Sequence, residues 1–126
     1  MSVTIQWTNR RRVAVSKILA AYPKESARCD MAAKEIFPHA QEQDPRATVW
    51  RVQPRPGLLP FLILAPKVSV GGGRWRYHVA VEAEAHCVDA LTQVDGTEKA
   101  RYLDAHFHYA DQLEMIEERS RQATNE

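Results

Sequence analysis

Residues 74–92 constrain this chain more than any other stretch. Trp75, Tyr77, Val79 and Val81 alternate with Arg74, Arg76, His78 and Ala80. That period of two predicts a half-buried β-strand and argues against a helix. His86-Cys87-Val88-Asp89-Ala90-Leu91-Thr92 is again rich in apolar and β-forming residues, so the two arms read as an antiparallel hairpin. A tight loop centred on Ala83-Glu84 would set Glu82 opposite Ala85, Val81 opposite His86, Val79 opposite Val88 and His78 opposite Asp89. Directly opposed residues share a face, with Cβ atoms roughly 4.5–5.5 Å apart. A carboxylate there can accept a hydrogen bond from the imidazole and fix its tautomer. A histidine held by an acid is a base with its orienter, and it lacks only a nucleophile.

The rest of the chain supplies one candidate. Thr8 or Asn9 can cap a helix starting near Arg10, whose Val15, Ile18, Leu19 and Tyr22 form one apolar stripe before Pro23. Ser26 is a suitable N-cap for a second helix that ends before Pro38, with Cys29, Ala32, Ala33 and Ile36 on one face. Cys29 then falls near the third helical position, where unpaired N–H groups and the positive end of the dipole favour a thiolate. The same position equally suits a small buried side chain packed on a core. His78 likewise reads either as a base or as a surface histidine beside Arg74 and Arg76, and Asp89 as an orienter or as the counter-charge to those arginines.

The remaining segments predict a sheet and a closing helix. Thr48–Val52 alternates as a strand, Phe61–Ala65 is a short continuous apolar run, and Gly71–Gly73 is a turn. Asp95-Gly96 is a second turn. Thr97 can cap a last helix with Leu103, Phe107, Ala110, Leu113 and Ile116 along one side. The expected architecture is a single α+β domain over residues 1–126, with N-terminal helices packed on a small, mostly antiparallel sheet and a closing C-terminal helix. Residues 1–8 and 121–126 are expected at its periphery.

Composition narrows the function classes. At 126 residues the chain can bury one core. Its longest apolar run, Leu58–Ala65, is broken by Pro60 and is far short of the ~20 residues of a membrane span. The two cysteines do not make a disulfide framework. No signal peptide opens the sequence, so a cytoplasmic location, or delivery by a signal-peptide-independent system, is expected. The formal charge of +1 hides an asymmetry: residues 1–76 hold 13 Lys/Arg against 5 Asp/Glu (+8), and residues 77–126 hold 4 against 11 (−7). No aromatic interleaving turns the basic part into a nucleic-acid motif. His86 and Cys87 are adjacent on a strand and His106 and His108 are two apart on the expected helix, so neither pair converges on a metal. His39 follows Pro38 in a surface loop. No metal or cofactor is expected.

Three pieces, taken in order, carry a resemblance: Arg28-Cys29-Asp30-Met31-Ala32-Ala33, then Trp75-Arg76-Tyr77-His78-Val79-Ala80-Val81, then Val88-Asp89-Ala90-Leu91-Thr92, with Tyr102-Leu103 beyond. Between residues 26 and 107 the chain resembles the small papain-fold domains of bacterial polymorphic toxins and related protein-glutamine deamidases. The resemblance implies a papain-like fold and a thiol hydrolase acting on a protein amide. Cys29 would be the nucleophile, His78 the base and Asp89 the orienter. A glutamine side chain as substrate gives deamidation, a backbone amide gives proteolysis, and transfer to an amine gives transglutamination. A protein substrate and a cognate immunity or inhibitor protein are the implied partners. Two departures stand out: Arg28 occupies a place where the family often has a small residue or Asn, and no oxyanion-hole glutamine precedes Cys29. A non-catalytic binding, immunity or adaptor module using the basic half is the alternative from another class.

Overall fold

The computed structural model describes residues 4–57, 63–71 and 75–118. Its order is α1 (Asn9–Ala21), α2 (Cys29–Gln43), β1 (Thr48–Pro54), β2 (His78–Ala83), β3 (His86–Val88), β4 (Thr97–Glu98), α3 (Lys99–His106) and β5 (Leu113–Glu117). The five strands form one antiparallel sheet in the order β4-β3-β2-β1-β5. The domain is α+β, as expected.

The pleat of the sheet sorts its side chains onto two cores. Val79, Val81, Ala83 and Val88 face α1 and α2, joining Val15, Leu19, Ala33 and Ile36. Ala80, Cys87 and Val52 face the other way, toward Trp75, Tyr102, Phe107 and Leu113. Both faces of β2 are therefore covered, and His78–Val81 and Ala83 are all buried. The alternation predicted a half-buried strand; two of its polar-side members, His78 and Ala80, are instead buried against Trp75 and Phe107 of the second core, while Arg76 is exposed.

α1 begins as predicted, with the Thr8 hydroxyl accepting from Arg11 N–H at 3.3 Å. α2 differs at both ends. A 3₁₀ turn occupies Lys24–Ser26, Ala27 takes a left-handed conformation (φ 58°), and Arg28 rather than Ser26 is the N-cap. Cys29 is thus the first helical residue, not near the third. The helix also continues through Pro38 to Gln43. Proline deprives the Lys34 carbonyl of its intrahelical donor, but Lys34 and Pro38 both lie on the solvent side. Ile36 and Ala40 on the buried side hold the helix together across the break.

The hairpin turns one residue later than expected on each arm. Val81 pairs with Val88, Glu82 with Cys87 and Ala83 with His86, leaving Glu84-Ala85 as the loop. Both loop residues have positive φ, 52° and 63°, as a type I′ turn requires. Neither is Gly or Asn, so long-range bonds hold the turn. Glu84 N–H donates to Asp44 Oδ2 at 2.7 Å, and the Glu84 carboxylate accepts from Gln6 N–H and Gln43 Nε2, each at 2.9 Å. The second arm is also shorter than expected, since β3 ends at Val88.

The closing helix is present only in its first part. α3 stops at His106 and is capped by Glu98 without a side-chain bond, not by Thr97. His108 therefore lies outside the helix. After a second 3₁₀ turn, Leu113–Glu117 form β5 on the outer edge of β1, with Arg51 opposite Ile116 and Val52 opposite Met115. The apolar positions fit a helical stripe equally well, but the unpaired edge of β1 offers backbone partners that a helix would not. Phe61–Ala65 also departs from expectation: Phe61 and Leu62 lie outside the described residues, Ile63 is exposed, and Leu64 makes one isolated bridge to Trp75. Gly72, Gly73, Arg74 and residues 121–126 also lie outside the described residues. At the N-terminus, residues 1–8 are not all peripheral: Ile5 and Trp7 are core side chains, and Trp7 Nε1 donates to the Val94 carbonyl at 2.8 Å. Among the described residues no helix is long and apolar enough to cross a membrane.

Candidate active site

Cys29, His78 and Asp89 meet at one end of the sheet. Cys29 comes from the helical layer and packs at the margin of the first core. His78 opens β2 on the opposite face, among Trp75 and Phe107 of the second core. Asp89 follows the last residue of β3. The site therefore straddles the end of the sheet, where side chains from both layers can touch.

The observed register explains the His78–Asp89 contact differently from the expected one. Carried one step beyond Val81–Val88, it sets Asp89 beside Ala80, so His78 is its diagonal neighbour. Diagonal residues lie on the same face, and long side chains reach across the gap. The two-residue difference preserves the face, whereas a difference of one would have turned Asp89 away. His78 Nε2 and Asp89 Oδ2 are 2.8 Å apart, with the side chains 2% and 4% exposed. The Cys29 side chain is the other group that acts on the imidazole, and the two line the same cavity.

Asp89 is saturated with donors. Its Oδ1 accepts from the N–H groups of Leu91 and Thr92, both at 2.8 Å, and Thr92 Oγ1 accepts from Asp89 N–H at 3.0 Å. Tyr102 donates its hydroxyl to Oδ2. Burial opposes the charged carboxylate, but the hydrogen bond and charge of His78, with those from Tyr102 and Thr92, hold it below the usual aspartate range. Burial likewise opposes the imidazolium. The hydrogen bonds to Asp89 and Cys29, and then their charges, outweigh it and lift His78 to about 9. Burial, followed by the charge and hydrogen bond of Asp89, pushes Tyr102 well up, so it stays a donor.

Trp75 lies flat on the imidazole, with centroids 4.5 Å apart and planes 8° from parallel. Its own backbone is fixed by Leu64 N–H, which donates to the Trp75 carbonyl at 2.7 Å. A second link ties the helix to the strand. Tyr77 donates its hydroxyl to Asp30 Oδ2 at 2.7 Å, while Arg51 covers the Tyr77 ring at 3.9 Å. Asp30 and Tyr77 are the chain neighbours of Cys29 and His78. In its thiol form Cys29 donates weakly to Asp30 Oδ1 at 3.5 Å.

Cys29 is partly exposed and lines a cavity of about 250 Å³ together with His78, Trp75, Ala32 and Val88. Cys87 is buried, and burial followed by the charges of Asp89 and Glu82 pushes its thiol far up. Cys29 opens α2, so its backbone N–H has no intrahelical partner and projects from the N-terminal end of the helix. Among the described residues, no group of three or more His, Cys, Asp or Glu is placed to hold a metal ion.

All three residues singled out in the sequence are thus neighbours. The contributions of Trp75, Tyr102, Thr92 and the Asp30–Tyr77 pair were missed. Asp89 and Thr92 had a readable signal, since Asp followed three residues later by Thr is a turn-capping pattern. Nothing local marked Trp75 or Tyr77 as more than strand residues. Comparison with protein-family models, with curated proteins and with solved structures found no match to this chain.

Proposed function

We propose that this protein is a papain-like thiol hydrolase that acts on a protein amide, with glutamine deamidation as its first reaction. The observation that carries the reading is the position of His78, buried between the Asp89 carboxylate and the Cys29 side chain at the edge of an open cavity. With His78 raised to about 9, its imidazolium stands beside the thiol as the proton donor and acceptor that a cysteine nucleophile needs.

The steps follow from that pair. The Cys29 thiolate attacks the amide carbon, forming a C–S bond, and the carbonyl oxygen takes up negative charge. The Cys29 N–H, with the positive end of α2 behind it, is positioned as one donor to that oxyanion. As the tetrahedral species collapses, the C–N bond breaks, and His78 passes its Nδ1 proton to the leaving nitrogen. Neutral His78 then takes a proton from water, whose oxygen attacks the thioester. The C–S bond breaks, the acid is released, and the thiolate–imidazolium pair returns. Asp89 holds Nε2 throughout, and Tyr102, Thr92 and Leu91 hold Asp89. On this reading the chain is a toxin- or effector-type domain, and a cognate immunity or inhibitor protein would cover the cavity.

The test has two arms. Iodoacetamide should label Cys29 in the folded protein and reach Cys87 only on unfolding, and His78→Ala should slow Cys29 labelling at neutral pH. Equal labelling of both thiols, or no effect of His78→Ala, would sink the reading. Mass spectrometry of candidate target proteins then separates deamidation, seen as conversion of amide to acid, from chain cleavage, with Cys29→Ala as the blank.

A further inference from the structure

We infer that the cavity beside Cys29 receives an acidic protein segment, in which the reacting residue's aliphatic stem enters the cavity and neighbouring Asp or Glu side chains meet Arg28 and Arg76. This rests on the thiol-hydrolase reading and adds the substrate's chemical class. The cavity is narrow for a binding site, about 250 Å³ against the ~300–1,000 Å³ of ligand pockets in general, so it fits one side chain. Its floor is aliphatic: Ala32, Ala33, Ile36, Val79 and Val88. Such a floor favours a methylene stem over a charged group.

The exposed charged groups that line it are cationic. Lys24, Arg28 and Arg76 line the cavity, and among the described residues Asp89 is the only lining carboxylate. Asp89 is buried and committed to His78 and Tyr102. Lys24 is partly offset by Glu25 at 2.8 Å. Arg28 and Arg76 are exposed, and neither guanidinium forms an ion pair among the described residues. Arg28 adjoins the nucleophile and Arg76 stands two residues before the base, so both cations flank the reacting centre. Two acids of α2 each accept a tyrosine hydroxyl, Asp30 from Tyr77 and Glu35 from Tyr22, and neither forms an ion pair with Arg28 or Arg76 among the described residues. Two unpaired guanidiniums beside an aliphatic slot suit carboxylates next to an uncharged stem. Arg28, a departure from the papain-like pattern, is then a specificity residue.

The experiment compares iodoacetate with iodoacetamide, an anionic and a neutral reagent of nearly the same size, at Cys29 of the whole protein. The iodoacetate/iodoacetamide rate ratio should fall severalfold at low salt in Arg28→Gln/Arg76→Gln, because the anionic reagent loses the Coulomb attraction of two cations. It should return in Arg28→Lys/Arg76→Lys and shrink with salt. Poly-L-glutamate should slow iodoacetamide labelling of Cys29 more than poly-L-lysine does. A ratio unchanged by the Gln pair overturns this inference while rapid, His78-dependent labelling leaves the thiol-hydrolase reading standing. A shifted ratio without protection by poly-L-glutamate also overturns it, since only a small anion would then be attracted. Slow labelling of Cys29 by both reagents sinks the underlying reading and this inference together.

Discussion

Tyr102 and His78 hydrogen-bond the same oxygen of Asp89, from α3 and β2 respectively. One buried carboxylate thus ties the helix of the second core to the strand that carries His78. Tyr102→Phe removes a donor to a charged, buried group, which typically costs about 1.5–3 kcal/mol. Urea unfolding should show that loss as a lower midpoint at unchanged slope. Cys29→Ala, at the partly exposed end of α2, should leave the midpoint nearly in place while abolishing turnover.

The pH dependence of stability follows from the two shifts. His78 is raised from 6.5 to about 9, so its contribution is complete below pH 6.5 and is lost as pH climbs through 9. Asp89 is lowered from 3.8, so its contribution is present above that value and is lost as pH falls through its folded-state pKa. Stability should therefore plateau on the acid side of neutrality and fall on both sides. The alkaline limb amounts to roughly 3 kcal/mol, and the pair is one interaction, counted once. Urea midpoints from pH 6 to 10 should lose most of this limb in His78→Gln.

Tyr77 and Asp30 act as a brace parallel to the Cys29–His78 pair, since each is a chain neighbour of one member. Tyr77→Phe removes the 2.7 Å bond and lets the start of α2 move relative to β2. Cys29 labelling by iodoacetamide should slow severalfold and the alkaline limit of its pH profile should shift. The unfolding free energy should drop by only about 1 kcal/mol. Asp30→Asn, which keeps an acceptor oxygen, should lie closer to wild type. Equal effects of Tyr77→Phe on stability and labelling would show the bond to be merely structural.

Ala85 sits at φ 63° in the hairpin loop, a conformation that costs a residue with a Cβ more than it costs glycine. Ala85→Gly should stabilise the fold by about 0.5–1 kcal/mol, a rise of about 2–4 °C in Tm. Differential scanning calorimetry checks it.

Much of the site was legible before any coordinates. The period-two pattern placed His78 and Asp89 on adjacent strands, and the helix punctuation put Cys29 near a helix start. Their parity also survived: the register moved by two residues, and two residues preserve a face. Less legible were the ends of the elements. Glu84-Ala85 carries no Gly or Asn to announce a turn, because Asp44, Gln6 and Gln43 hold it from far away in sequence. Leu113–Glu117 has apolar spacing that suits helix and strand alike, and only the open edge of β1 chose between them.

What the sequence determined by itself, then, was the periodicity of its segments, and with it the class of the domain and the faces on which the chemistry-bearing residues lie. Local sterics and side-chain burial act over a few residues, so a few residues suffice to reveal them. The tertiary structure decided the rest: the seal of Trp75 over His78, the sharing of Asp89 with Tyr102, the Tyr77–Asp30 brace and the strand that closes the sheet. Each of these depends on backbone edges or buried polar groups finding partners dozens of residues away, and no local pattern encodes that.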